Sequence, residues 1–321
     1  MINKKELLVL TLFLVHFFGF GQYTDVINSN RPGESMSAFS VGKSVFQAEI
    51  GLDGVNEKHD ILNYTANGYF TDIALRYGLY FEQLEIITNL KYQNDHYESN
   101  YESKTRSGFK KITFGGKYLI YDPFKNYTEK IDLYSWKKNH RFKWRQLLPS
   151  VSAFAGINLE NANNPFISYP TNGLSPKVMI ITQNQFRGAH VFVFNLFLDE
   201  IGSQNQSLGY VMTYTKGINE HWSAFIENKG IQGNYYSDGI FSFGAAYLFD
   251  KSMQVDASIG TNYKNTPSLF YGGIGFSWRF DKNYQEVKLK IKKEKKPSKQ
   301  DKAKEKEKKR IDDVENGKKK P

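Results

Sequence analysis

Apolar and polar side chains alternate one by one along segment after segment of this chain, and that pattern leaves few folds open. Between Phe270 and Phe280 one face reads Phe270, Gly272, Ile274, Phe276, Trp278, Phe280, and the other Tyr271, Gly273, Gly275, Ser277, Arg279. Met253, Val255, Ala257 and Ile259 alternate with Gln254, Asp256, Ser258 and Gly260. Phe46, Ala48, Ile50 and Leu52 alternate with Gln47, Glu49, Gly51 and Asp53. Period two marks β-strands with one apolar and one polar face. Segments of about ten residues exceed the usual soluble strand and suit a tilted strand that crosses a bilayer.

Twelve such segments are expected, near 44–54, 67–78, 81–92, 108–121, 147–158, 176–187, 189–199, 207–217, 220–230, 239–249, 252–262 and 269–280. The fold class is therefore an all-β, transmembrane antiparallel β-barrel of about twelve strands. Single-chain bacterial barrels have even strand numbers, short periplasmic turns and longer outer loops. Leu79-Tyr80, Gly188, Ile218-Asn219 and Asp250-Lys251 fit the inner turns. Segments 55–66, 93–107, 159–175 and 231–238 fit the outer loops, and both termini fall in the periplasm. The inner connection 122–146 is the exception. It holds Trp136, Lys137, Lys138, Arg141, Lys143, Trp144 and Arg145, which suit either an anionic inner leaflet or a plain polar insertion.

The two ends differ from this body. A basic start at Lys4-Lys5, an apolar run from Leu7 to Phe20 and a small residue at Gly21 read as a secretory signal peptide over 1–21. The run is too short to span a bilayer as a helix, which takes about 20 residues. Residues 22–43 read as an N-terminal periplasmic segment, 44–281 as the barrel and 282–321 as a Lys-rich disordered tail. Between Lys288 and Pro321 there are sixteen Lys/Arg and seven Asp/Glu, so the tail carries most of the +10 net charge and the body is near neutral. The basic balance therefore gives no ground for nucleic-acid binding. The tail is either a solvated spacer or a contact for anionic phospholipid or cell wall.

With no cysteine, disulfides, thiol catalysis and Cys-ligated metals are excluded. Neither a His-x-x-x-His pair nor a Gly-rich phosphate loop is present, so no metal or cofactor is expected. His59 and His96 share predicted outer loops with Ser99, Ser103 and Ser107, yet no nucleophile elbow accompanies them. A lipid hydrolase is the weakest reading, and no catalytic residue is assigned.

Hydrocarbon cannot satisfy polar groups, so the apolar face must meet lipid and the polar face the lumen. The lumen would then hold Glu49, Asp72, Arg76, Glu85, Lys91, Lys111, Lys117, Glu227, Lys229, Asp256 and Arg279, a mixture of both signs that suits ion pairs. These residues are either structural filling or the lining of a solute path.

The stretch Asn28-Ser29-Asn30-Arg31-Pro32-Gly33-Glu34-Ser35, followed by Val41-Gly42-Lys43-Ser44-Val45-Phe46-Gln47-Ala48-Glu49, resembles the start of the phenol-degradation meta-pathway family. Its members open with Thr-Asp-Arg-Pro, a nearby Ser, Val-Pro-Lys-Gly and Phe-Gln-x-Glu. Arg31, Pro32, Ser35, Val41, Lys43, Phe46, Gln47 and Glu49 fit; Asn30, Gly42 and Ser44 depart from the pattern. The resemblance implies an outer-membrane barrel of transporter type, and the family's name implies aromatic cargo. Phe280 also resembles the terminal residue read by the outer-membrane assembly machinery, although the chain continues beyond it.

Arg31 and Glu49 suit a clamp that ties the N-terminal segment into the barrel. Pro32-Gly33 suits a simple turn, and the turn is the plainer expectation. Passive transport of small, hydrophobic or aromatic molecules leads the functional readings. A scaffold barrel whose tail holds a periplasmic partner comes second, and a soluble exported β-sandwich third.

Overall fold

A computed structural model describes residues 26–125, 134–135, 144–167 and 169–281. The expected signal peptide, the tail, and Trp136, Lys137, Lys138, Arg141 and Lys143 lie outside the described residues. Among the described residues the strands are β1 (Phe46–His59), β2 (Tyr64–Gly78), β3 (Leu84–Ser99), β4 (Ser103–Tyr121), β5 (Ser150–Glu160) and β6 (Gly173–Phe186). They continue as β7 (His190–Asp199), β8 (Ser207–Gly217), β9 (Trp222–Gly233), β10 (Ser237–Asp250), β11 (Met253–Asn262) and β12 (Ser268–Phe280).

Each strand pairs antiparallel with its neighbours in sequence, and β1 closes on β12 from Phe46↔Phe280 to Lys58↔Ser268. No edge is left, which is the condition for a sheet in lipid. All twelve expected strands are present, and closure rules out the open β-sandwich.

The outward rows explain why the alternation exists. Ile50, Phe114, Ile226 and Ile274 stand mid-strand with about half or more of their surface uncovered. In water such rows would be a liability, but against hydrocarbon they are the stable face. At the short-turn rim Trp222 and Tyr247 meet at 4.9 Å, Tyr247 and Phe249 at 5.0 Å, and Trp278 and Phe280 at 6.0 Å. Amphipathic rings suit that depth, between hydrocarbon and headgroups.

The expected outer loops 55–66 and 93–107 are mostly strand instead. β1 and β2 continue to a turn at 60–63, and β3 and β4 to one at 100–102. Beyond the apolar rows, cross-strand polar pairs take over. Arg106 grips Asp95 at 2.8 and 2.9 Å, and Tyr64 donates to Glu57 at 2.5 Å. Polar side chains stand on both faces there, so the ladder persists where the apolar alternation has stopped. The connection between β4 and β5 runs from 122 to 149 and includes a 3-10 turn at Trp144–Leu147.

Candidate functional site in the lumen

Residues 26–45 form no strand, and they thread through the lumen. This corrects the expectation of a periplasmic segment. Ile27, Met36, Ala38, Phe39, Val41 and Val45 are buried there. A segment without strand pairing leaves its backbone polar groups to be satisfied by other partners, and the wall supplies them in order. Glu49 accepts the main-chain N–H of Asn30 at 3.1 Å and of Arg31 at 3.3 Å. Glu227 accepts from Glu34 at 3.0 Å and Ser35 at 3.3 Å. Asn195 holds Met36 through both its N–H (2.6 Å) and its C=O (2.9 Å). Gln183 accepts from Ala38 at 2.9 Å, and Ser152 donates to its carbonyl at 2.5 Å. Glu85 accepts from Val41 at 2.8 Å.

The Arg31 and Glu49 clamp exists in altered form. Arg31 reaches Asp256 at 3.3 Å and Asp53 at 3.8 Å, not Glu49. A Cβ on Gly51 would stand 2.0 Å from the Arg31 guanidinium and one on Gly275 2.2 Å, so the bare wall at these two positions makes room for it. Glu49 pairs with Arg76 at 3.1 Å, Arg76 with Glu85 at 3.1 Å, and Glu85 with Lys117 at 2.7 Å. Arg76 also donates to the carbonyl of Asn28 at 2.7 Å, and Lys117 to those of Ser37 (2.6 Å) and Phe39 (2.9 Å). The wall network and the threaded segment therefore share the same charges.

Glu49, Arg76, Glu85, Lys117, Glu227, Asp256 and Arg279 are buried, the first four in the network above. Asp72 and Lys91 pair at 3.5 Å, Lys111 meets Asp199 at 2.6 Å, and Lys229 meets Glu34. Of the family-motif residues, Ser35 is buried beside Glu227 and Gln47 donates to Glu49 at 2.7 Å. Pro32 lies on the threaded segment, and Phe46 opens β1. At the short turn between β2 and β3, Glu82 accepts the N–H of Lys43 at 3.2 Å. Burial pushes its carboxyl above the ordinary range, against that hydrogen bond and the Lys43 charge.

The lumen is less polar than expected. Ile87, Phe154, Met179, Ile181, Phe197 and Val211 point inward and pack with Met36 and Ala38. The signal for this lay in β7, where His190-Val-Phe-Val-Phe-Asn-Leu-Phe-Leu-Asp199 is apolar on both faces. Lys177 is a further lumen residue, in step with Met179 and Ile181 on β6, and Lys110 is one that alternation misses. A bulge pairs Lys91 with Lys111 and Tyr92 with Phe109, so the intervening Lys110 turns inward beside Lys111. Above Thr113, β4 has no β5 partner, and Asn164 covers it by donating to the Lys110 carbonyl at 3.2 Å. His96 and Ser103 do meet, at 3.3 Å, but no carboxylate orients His96 among the described residues.

A family model described as "Putative MetA-pathway of phenol degradation" matches residues 29–280. The chain belongs to that family. The family's match takes in the threaded segment from Ser29 as well as all twelve strands. Among solved structures, the COG4313 outer membrane channel from Pseudomonas putida F1 superposes with a TM-score of 0.51 at 9% identity, covering 79% of this chain and 100% of that one. The β domain of the Bordetella autotransporter BrkA gives a TM-score of 0.46 at 8% identity over 74% of this chain and 100% of that one. At such identities the likeness to the COG4313 channel is one of fold. No curated protein matches the sequence.

Proposed function

We propose that this family member is a passive outer-membrane channel for small solutes, gated by residues 26–45. One observation carries the reading: the barrel closes through β1 and β12 without any strand from the segment that fills it. The filling is held by hydrogen bonds and ion pairs to wall side chains and by packing of Met36 and Ala38, with no strand ladder, so it can shift while the wall stays intact. Its polar anchors also give an entering solute alternatives to lost water contacts. Membership in the family makes small aromatic compounds the first cargo class to try. The short turns and both barrel ends are assigned to the periplasmic side, with assembly by the outer-membrane machinery. The basic tail would then face the anionic inner leaflet or cell wall, where each basic residue near such a surface contributes about 1 kcal/mol.

The test is single-channel conductance in planar bilayers, comparing the full chain with a variant lacking residues 28–40. Folding of both is checked by faster migration of unboiled samples on gels. The reading expects small or intermittent steps from the full chain and large, lasting ohmic steps from the deletion. A folded, inserted deletion variant that stays silent would overturn it.

A further inference from the structure

The threaded segment leaves one part of the lumen within reach of solvent, and amines crowd it. Lys91, Lys111, Lys177 and Lys229 keep partly accessible side chains there, and Lys110 is exposed. They form one electrostatic cluster: Lys110 lies within Coulombic reach of Lys91 and Lys229, and Lys177 within reach of Lys111 and Lys229. The carboxylates in ion pairs with these amines are Glu34, Asp72, Asp199 and Glu200. Asp53, close by, is taken by Arg31. Lys110 has only the Gln93 amide oxygen, at 3.1 Å, as side-chain partner among the described residues.

Glu34 differs from the other three carboxylates because it belongs to the threaded segment. It sits on Lys229 and, at 3.9 Å, on Lys91. If the segment withdraws, Glu34 leaves Lys229 and Lys91 together; Lys91 keeps Asp72 and regains Asp53 as Arg31 departs, whereas Lys229 keeps no ion-pair partner among the described residues. An unpaired Lys229 ammonium in a confined, partly dry space calls for a replacement anion.

The surroundings specify what kind of anion. The Lys177 amine stands 5.2 Å from the centre of the Phe197 ring, and Lys91 4.1 Å from that of Phe70. Phe197 belongs to the apolar cluster with Met179, Val211 and Met36, against which Ile231 packs. Charge-assisted contacts thus border an apolar wall.

We infer that the lysine cluster and the Phe197 wall form a site for a small carboxylate with an apolar body, whose carboxylate replaces that of Glu34. This rests on the gated-channel reading for the segment's withdrawal, but binding is measured apart from conduction. Such a ligand would exchange with the gate instead of merely passing it.

The probe is 4-fluorobenzoate, titrated against the folded full chain in a non-ionic detergent and followed by fluorine NMR. Detergent alone serves as blank, and 4-fluorobenzyl alcohol and acetate as controls lacking either the charge or the ring. Saturable binding of the benzoate above both controls is expected. Lys229→Gln should weaken it about tenfold, the scale of one charge-assisted contact. Glu34→Gln should tighten it, because the tethered competitor is gone. Equal binding of the alcohol or of acetate, no saturation, or an unchanged affinity in folded Lys229→Gln would overturn the site. Binding without conductance would sink the channel and spare the site, and conductance without binding the reverse.

Discussion

Arg76 and Glu85 face each other at 3.1 Å, fully sealed from solvent, on strands that pair with one another. Each also reaches the threaded segment, Arg76 through the Asn28 carbonyl and Glu85 through the Val41 N–H. The charges that order the wall therefore also hold the gate.

Arg76→Ala should consequently be severe. It leaves Glu49 and Glu85 short of a buried counter-charge, and breaking such a pair costs about 3–5 kcal/mol. Urea unfolding in detergent, followed by tryptophan fluorescence, should show that loss, and conductance should rise. A variant as stable as the wild type would contradict the shared network.

Gly51→Ala tests the gate from the wall side. The new Cβ would fall 2.0 Å from the end of the Arg31 side chain, which is free to swing away, so the strand should hold. Arg31 would lose Asp256 and Asp53, and openings in single-channel records should become as frequent as in Arg31→Gln. Wild-type gating in Gly51→Ala would show that Arg31 does not restrain the segment.

Glu82 offers a pH signature. Its folded-state pKa is raised, so ionisation in the folded protein is penalised relative to the unfolded chain. Stability from this group is greatest below the ordinary carboxylate value and falls as pH rises through its raised one. Glu82→Gln should thus stabilise the barrel at neutral pH, and the gain should vanish below about pH 4, where the unfolded carboxyl is also protonated. Urea midpoints at the two pH values decide it; a gain that persists in acid would refute this origin.

The barrel was legible because lipid imposes a rule on every second residue. Phe270 to Phe280 or Met253 to Ile259 could hardly be placed otherwise. The upper halves of β1 to β4 were not legible, since pairs such as Arg106 with Asp95 leave no apolar period. Nor was the fate of Met36, Ala38 and Phe39. Their burial depends on Asn195, Gln183 and Lys117, all more than seventy positions away, and on no local code. Alternation also assigns a face without regard to bulges, which is why Lys110 escaped notice.

The central claim is that residues 26–45 are a movable gate in a complete barrel. Ser29 Oγ on that segment lies 2.7 Å from Ser277 Oγ on β12, and the chain has no cysteine of its own. Ser29→Cys with Ser277→Cys should therefore form a single lock at the segment's start, which β1 already anchors at its other end. Conductance of this double variant in a planar bilayer, before and after reduction, is the direct measurement. Current suppressed when oxidised and restored by dithiothreitol is the predicted result. Equal conductance in both states, with the disulfide verified, would contradict it.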